Sequence, residues 1–293
     1  MKSKIILIVA FFWFAKAHGQ HYNLFETMLT CDKSQKELIV AGHDKNKIVL
    51  KAMVKEGKLL NFMANQQYQN DNIILTYRVA TESEPRFKEI IAEWKKRADL
   101  SYQELFKNFW KGCPRRKDSI VNNSVVTYPV IKNLDSPVAI VEGIDELPDP
   151  KLEYKIVIDF TTFPTVGENK NKMDSSSTSW GIADIGRIYN LHVAAGVPKE
   201  KIHFVVAVHS FASRMFFNND AYRNKYKIDN PNLEAIEELA NAGVKFLVCG
   251  QSLTWMGDKK EMLMPQAKVS LTAQTTLSSY QLKGYALKTI KDD

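Results

Sequence analysis

Cys249 is the residue of this sequence best placed to do chemistry. It follows the apolar run 244–248 and precedes Gly250, so a buried strand is predicted to end at the thiol. At the carboxyl end of a parallel strand, a thiol can face backbone N–H groups, which stabilise the nucleophilic thiolate. Gly250 allows a tight turn and lets a ligand approach the backbone. The open alternative is a buried cysteine that serves only as a small apolar side chain.

His209 and Ser210 are predicted at the same edge of the sheet, because they follow the apolar run 202–208. His209 can protonate a leaving thiolate or orient a ligand. Ser210, together with Gln251 and Ser252 beyond the cysteine, can offer hydroxyl, amide and backbone N–H groups to a ligand. The alternatives are a structural histidine held by hydrogen bonds and ordinary helix capping.

The elements that must position these residues alternate between strands and helices. Apolar runs predict strands over 154–160, 202–208, 244–248, 269–273 and 285–289, and helices over 182–195, 232–242, 252–256 and 275–282. Such alternation favours parallel pairing with right-handed crossovers. The predicted fold class of residues 154–293 is therefore α/β, a three-layer α/β/α sandwich with a mainly parallel sheet. Asp159 and Thr161 end its first strand and are further candidates for the site.

The segment 161–180 lies between the first strand and the first helix of this half and is rich in Ser, Lys and Asn. It has no apolar period and is long for a connection in a compact unit. A disordered insertion is predicted, and a functional lid is the alternative.

Three blocks of this half resemble the DsrE/DsrF-like (YchN-like) family. They are VVAVHS at 205–210, the long block from Asn230 to Leu253 that contains VCGQSL, and QLKGYA at 281–286. The resemblance covers residues 154–290 and implies a small α/β protein that assembles into homo- or hetero-oligomers. Several members carry sulfur as a persulfide on the cysteine that matches Cys249, in sulfur oxidation or tRNA thiolation.

That resemblance implies binding or relay of sulfane sulfur through Cys249, with a sulfur donor or acceptor protein as partner. The protein would then be a sulfurtransferase or a sulfur carrier, and whether it is an enzyme stays open because many members have no known activity. The rival hypothesis is a non-catalytic periplasmic module that binds a small ligand or a protein partner, or that oligomerises.

The region 20–131 is predicted to be a separate α+β domain. Strands are expected over 22–30, 60–68 and 73–79, and helices over 45–57, 84–97 and 102–110. This order suggests a ferredoxin-like unit. With the KEGKL segment at 55–59, it resembles the dimeric α/β-barrel superfamily. The proline-containing, acidic stretch 132–153 is predicted to be the linker to the second domain.

The first 19 residues have the parts of a secretory signal peptide. Lys2 and Lys4 precede an apolar run over 5–14, and small residues follow at Ala15, Ala17 and Gly19. The run is too short to cross a bilayer, and no later run is longer, so a secreted or periplasmic protein without a transmembrane segment is expected after cleavage. The chain has a net charge of +7, and removing the three lysines of this segment leaves +4.

The composition narrows the function further. A chain of 293 residues with 45% hydrophobic and 25% charged residues is an ordinary globular protein long enough for two domains. Basic residues are interspersed with acidic ones, which predicts no nucleic-acid partner. Nucleotide-binding, hydrolase and zinc-protease motifs are absent, and no Cys or His pair has metal-ligand spacing, so neither a cofactor nor a metal is predicted.

The other two cysteines have two interpretations. In an oxidising compartment, Cys31 and Cys113 can pair and leave Cys249 as the free thiol. Alternatively, Cys113 is a thiolate activated by Arg115 and Arg116.

Overall fold

The computed structural model describes residues 21–132, 136–166 and 169–290, and the predicted signal peptide lies outside them. The N-terminal elements are β1 (His21–Asp32), α1 (Lys36–Lys55), β2 (Phe62–Gln69), β3 (Asn72–Thr81), α2 (Glu84–Ser101), α3 (Gln103–Gly112), β4 (Arg115–Thr127) and β5 (Val138–Ala139). The strands form one antiparallel sheet in the order β2-β3-β1-β4-β5. Its first four strands have the ferredoxin-like topology that the sequence predicts, and α3 is added after α2.

The sequence did not predict β4, and it placed the start of α1 too late. The strand β4 has the sequence RRKDSIVNNSVVT, which lacks the alternation of apolar and polar residues that marks a half-buried strand. Helix α1 begins at Lys36 rather than at residue 45. Its first half contains Gly42, an unfavourable residue within a helix, but a Cβ there would lie 2.1 Å from the ring of Phe109. Glycine therefore lets α3 pack closely on α1.

A buried polar network joins α1, β3 and α2 inside this unit. Nδ1 of His43 lies 2.8 Å from the hydroxyl of Tyr77, to which Asn46 Nδ2 donates at 3.1 Å. Trp94 Nε1 donates to Asn46 Oδ1 at 2.9 Å. Burial and the nearby Lys47 lower the pKa of His43 to about 3, although Asp174 opposes this change. The histidine is therefore a neutral part of the packed interior.

The C-terminal elements are β6 (Tyr154–Phe160), β7 (Thr165–Val166), β8 (Asn169–Met173), α4 (Trp180–Ala194), β9 (Ile202–Val208), a 3-10 segment (Ser210–Phe216), α5 (Asn219–Tyr226), α6 (Leu233–Asn241), β10 (Lys245–Cys249), α7 (Gly250–Trp255), β11 (Ala267–Ser270), α8 (Ala273–Leu282) and β12 (Ala286–Ile290). All neighbouring strands of the main sheet are parallel, in the order β11-β10-β9-β6-β12. Helices α4 and α6 cover one face, and α8 packs on the other. The predicted three-layer α/β/α sandwich is confirmed.

The predicted disordered insertion contains local structure in its described part. Strands β7 and β8 pair antiparallel within it. The Asp174 carboxylate then accepts hydrogen bonds from the backbone and hydroxyl of Ser176, and Tyr222 donates to the carbonyl of Ser175 at 2.8 Å. Tyr222 belongs to α5, a helix that the sequence analysis missed because this tyrosine is the buried residue of an otherwise polar segment.

The connection between β4 and β5 of the first sheet is attached to the second unit through Asn190 of α4. This buried side chain accepts hydrogen bonds from the backbone N–H groups of Val130 and Ile131 at 3.1 and 2.9 Å. It also donates to the carbonyls of Ile131 and Ser136. Ile131, at the end of the first predicted domain, packs in the core of the second unit. The described part of the β4–β5 connection is therefore fixed along α4. Among the described residues, no helix is both long and apolar enough to span a membrane.

Candidate functional site

Cys249 lies at the junction of β10 and α7. It is the last residue of the strand and the N-cap of the helix, and its Sγ accepts a hydrogen bond from the backbone N–H of Ser252 at 3.4 Å. The residue is only 4% exposed. Helix α7 begins at Gly250, where a Cβ would lie 2.9 Å from the carbonyl oxygen of Ser270. Glycine is thus required for the close approach of α7 to the end of β11.

Uncharged hydrogen-bond donors surround the sulfur. Burial raises the pKa of the Cys249 thiol, but hydrogen bonds from the side chain and backbone of Ser252, the backbone of Ala273 and the hydroxyl of Thr272 outweigh it, so that the pKa is lowered. Ala273 is the first residue of α8 and Thr272 is its N-cap. The Cys249 sulfur is therefore held by donors from α7 and from the start of the ten-residue helix α8.

His209 and Asp159 lie on the same face of the sheet as the cysteine. Cys249 packs with Ala207 and Ala273 on the α8 side. Asp159 is the register partner of Ala207, and His209 follows Ala207 by two residues, so both share that face. Val208 pairs with Val248, which places His209 and Cys249 one residue beyond the same register position. Three adjacent strands thus end in a row of thiol, imidazole and carboxylate.

The imidazole and the carboxylate of this row form a direct contact. Nε2 of His209 lies 2.7 Å from Oδ1 of Asp159, and their side chains are 31% and 28% exposed. The backbone N–H of His209 also donates to the carbonyl of Phe160 at 3.1 Å. The pairing fixes the imidazole and leaves Nδ1 as the ring atom that can exchange a proton with a ligand.

Ser210 and Ser252 are hydrogen-bonded to each other. The backbone N–H of Ser210 donates to Oγ of Ser252 at 3.0 Å, and the Ser252 hydroxyl is also a partner of the Cys249 sulfur. Ser210 holds this position with a φ of 58°, in the left-handed region that is costly for a residue other than glycine. The two serines, which the sequence analysis assigned to ligand binding, therefore shape the surroundings of the thiol. The side chain of Gln251 is exposed beside them.

Ser270 adds a polar atom that the sequence did not single out. It is the register partner of Cys249 on β11. Its Oγ is buried and makes no hydrogen bond within the described part of the chain. In a parallel pair, register partners point to the same face, so this hydroxyl lies beside the cysteine and is free to bind an added group.

A known protein family matches the part of the chain that carries the cysteine edge. Residues 171–289 match the sequence model of the DsrE/DsrF-like family. These residues form a DsrE/DsrF-like domain. The matched range includes Cys249, His209 and both serines, whereas Asp159 lies before it. The recognition made from the three sequence blocks is confirmed.

A solved structure is also similar to part of this chain. It is titled as a protein of unknown function, MTH1491, from Methanobacterium thermoautotrophicum. The similarity covers 47% of this chain and 99% of that one, at 17% identity and a TM-score of 0.34. No curated protein matches the sequence.

Large apolar side chains surround the cysteine edge of the DsrE/DsrF-like domain. Phe211, which follows Ser210, is 50% exposed, and Leu271, which follows β11, is 72% exposed. Trp255 at the end of α7 is 86% exposed. We refer to these three exposed side chains as the apolar rim, since each belongs to, or follows, an element that begins or ends at the cysteine edge.

The structure contains the disulfide that the sequence analysis considered. Cys31 at the end of β1 is bonded to Cys113 after α3, and Cys249 is the free cysteine. A bonded Cys113 cannot be the activated thiolate of the alternative interpretation. Within the described residues, no group of three or more His, Cys, Asp or Glu side chains is arranged to hold a metal ion.

Proposed function

We propose that the DsrE/DsrF-like domain binds sulfane sulfur as a persulfide on Cys249 and passes it to an acceptor thiol. The observation that carries this proposal is the set of hydrogen-bond donors from Ser252, Thr272 and Ala273 on the sulfur of the free cysteine, which lowers its pKa. A thiolate is the form that attacks a sulfane sulfur. The family resemblance supports the same chemistry at the matching cysteine.

Loading is a thiol exchange in which no net oxidation occurs. The Cys249 thiolate attacks the outer sulfur of a donor R–S–SH, and a sulfur–sulfur bond forms. The sulfur–sulfur bond of the donor breaks, and its electron pair leaves with the inner sulfur as RS⁻. Protonated His209 gives that sulfur its Nδ1 proton and becomes neutral. In the discharge step, an acceptor thiolate attacks the outer sulfur of the persulfide and Cys249 leaves as the stabilised thiolate.

The proposed setting follows from the expected export signal. A secreted or periplasmic protein has no access to tRNA or to the cysteine desulfurases of the cytosol, so we propose a sulfur donor and acceptor outside it. Assembly into a homo-oligomer is part of the proposal, because the exposed apolar rim of Phe211, Trp255 and Leu271 is suited to burial against another molecule.

A second candidate function is a non-catalytic module that binds a small ligand or a partner, or that oligomerises. The observation that favours it is the burial of Cys249 at 4% exposure beside the exposed apolar rim. In that case the thiol is a packing residue and takes up no sulfur.

Cyanide release of sulfane sulfur separates the two candidates. The full-length folded protein is exposed briefly to polysulfide, desalted and treated with cyanide, which converts a persulfide into thiocyanate and the free thiol. Relay predicts close to one thiocyanate per chain in the wild-type protein and background in Cys249→Ser, with the Cys31–Cys113 disulfide intact in both. Background release from the wild-type protein would leave the binding module as the function.

A further inference from the structure

We infer that Cys249 takes its sulfur from a small polysulfide or persulfide rather than from thiosulfate, and that Asp159 positions His209 to protonate the departing sulfur. This inference rests on the proposed function and specifies its substrate class. It adds Asp159, which lies outside the range that matches the family, as a positioning residue.

The groups that hold the sulfur carry no charge. The donors come from Ser252, Thr272 and Ala273, and all are neutral. Thiosulfate is a dianion whose sulfonate group is best bound by fixed cations. The guanidinium of Arg214, five residues after His209, is engaged by the buried Asp258 at 2.8 Å. The charge of a protonated His209 is balanced by the Asp159 carboxylate that it contacts, so the site offers a sulfonate hydrogen bonds but no excess positive charge.

The leaving group of a persulfide needs a proton. Sulfite leaves thiosulfate readily as an anion, but the thiolate or hydrosulfide that leaves a persulfide is more basic and gains from protonation. The site contains a proton donor suited to the persulfide. His209 is fixed through Nε2 by Asp159 at 2.7 Å, and no group in the described chain hydrogen-bonds its Nδ1. The carboxylate therefore orients the ring.

Access to the thiol favours a small donor. Cys249 is 4% exposed, so a slim chain of sulfur atoms reaches it more readily than a cysteine on a folded carrier protein. The buried Oγ of Ser270, which has no hydrogen-bond partner in the described residues, lies in register beside it. A persulfide on Cys249 can give this hydroxyl the hydrogen bond that it lacks.

The loading reaction balances with hydropolysulfide as donor. The thiolate of Cys249 attacks the terminal sulfur of HS–Sₙ⁻, forms Cys249–S–SH and releases Sₙ²⁻. Protonated His209 converts Sₙ²⁻ into HSₙ⁻ and becomes neutral. No oxidant or reductant is consumed.

Single-turnover loading with three donors tests the substrate class. Full-length protein is mixed with inorganic polysulfide, with thiosulfate or with persulfidated serum albumin, and cyanide-labile sulfur on Cys249 is followed in time. Polysulfide is expected to load at least about tenfold faster than either alternative. Equal loading from thiosulfate would overturn the substrate class but leave the proposed function intact, and faster loading from albumin would overturn the preference for small donors. No loading from any donor would remove the proposed function itself.

Asp159→Asn tests the positioning role, and the chain offers a matched control. Glu153, the residue before β6, contacts Nε2 of His203 on β9 at 2.7 Å, which is the same kind of pair at the amino ends of the same two strands. Asp159→Asn is expected to slow polysulfide loading about tenfold at neutral pH and to change its pH profile, with recovery in Asp159→Glu, whereas Glu153→Gln changes neither. A loss that is equal at every pH, or no loss, would overturn the role. Unchanged alkylation of Cys249 shows that the variants are folded.

Discussion

The environment of Cys249 is set by a few residues that approach the sulfur from two directions. Ser252 comes from the helix that the cysteine caps, and Thr272 and Ala273 come from the start of α8. The sequence predicted the strand end at Cys249 and the neighbouring His209, because both follow apolar runs. It did not predict the α8 donors, because the contact depends on how the end of β11 lies beside β10 in space.

Replacing Ser252 tests how the thiol is tuned. Its hydroxyl accepts the N–H of Ser210 at 3.0 Å and can give its own hydrogen to the Cys249 thiolate. Ser252→Ala is expected to raise the thiol pKa and to slow alkylation at neutral pH roughly threefold to tenfold, with recovery in alkaline solution. Ser252→Thr should behave like the wild-type protein, and the exposed Ser278→Ala is a neutral control. Identical pH profiles for the alanine variant and the wild-type protein would refute this role.

At the scale of elements, the sequence predicted the strands with continuous apolar runs best. The bounds of β6 and β9 agree with the sequence prediction residue for residue, since both are buried parallel strands. The polar strand β4, which lies between β1 and β5, carries no comparable pattern and was missed. The proximity of Cys31 and Cys113 depends on the turn between α3 and β4. Because β4 was missed, the sequence left the pairing of these two cysteines open.

The disulfide joins the end of β1 to the end of α3 across 82 residues. Replacing both Cys31 and Cys113 by serine is expected to lower the free energy of unfolding of the N-terminal unit by about 4 kcal/mol, because the unfolded chain regains the freedom of a long loop. Urea unfolding followed by tryptophan fluorescence measures this change, and Cys249→Ser is the matched control with an intact disulfide. A double variant as stable as that control would contradict the expectation.

The His43 network predicts a pH dependence of stability. The pKa of His43 is about 6.5 in the unfolded chain and about 3 in the folded one, because burial disfavours the cation and Lys47 adds to this. Between these two pH values, only the unfolded state binds the proton. The contribution of His43 to the free energy of unfolding is therefore fully present above pH 6.5, and it falls by about 1.4 kcal/mol for each pH unit below that value.

Urea unfolding of the wild-type protein and His43→Gln at pH 7.5 and 5 measures this dependence. The variant is expected to be less stable than the wild-type protein at both pH values. Its free energy of unfolding should, however, fall less between pH 7.5 and pH 5, because the contribution of the histidine is missing. His203→Gln, which removes an exposed histidine, serves as the control. An equal drop in His43→Gln and the wild-type protein would show that His43 already titrates normally in the folded state.

At the scale of the whole molecule, the connection between β4 and β5 ties the first sheet to the second unit. Asn190 of α4 makes hydrogen bonds to this connection at Val130, Ile131 and Ser136. The sequence predicted a linker over 132–153 from its prolines and acidic residues, but it could not predict this attachment. The attachment depends on one asparagine, Asn190, in an otherwise apolar face of α4.

Asn190→Ala is expected to lower the free energy of unfolding by about 2 to 3 kcal/mol, because four backbone groups lose their partner in a buried position. Lys55→Ala removes an exposed ion pair with Glu234 between the two units and should change the stability by less than about 1 kcal/mol. Urea unfolding of the full chain measures both. A small effect of Asn190→Ala would mean that the β4–β5 connection is not fixed on α4.

The measurement that tests the central claim most directly is the mass of the peptide that contains Cys249 after brief exposure of the folded protein to polysulfide near neutral pH. Trapping with an alkylating reagent before digestion preserves a persulfide. The account predicts that most of this peptide carries one added sulfur atom and that the peptides of Cys31 and Cys113 carry none. A Cys249 peptide that gains no sulfur, in a protein whose thiol is alkylated only after unfolding, would contradict it.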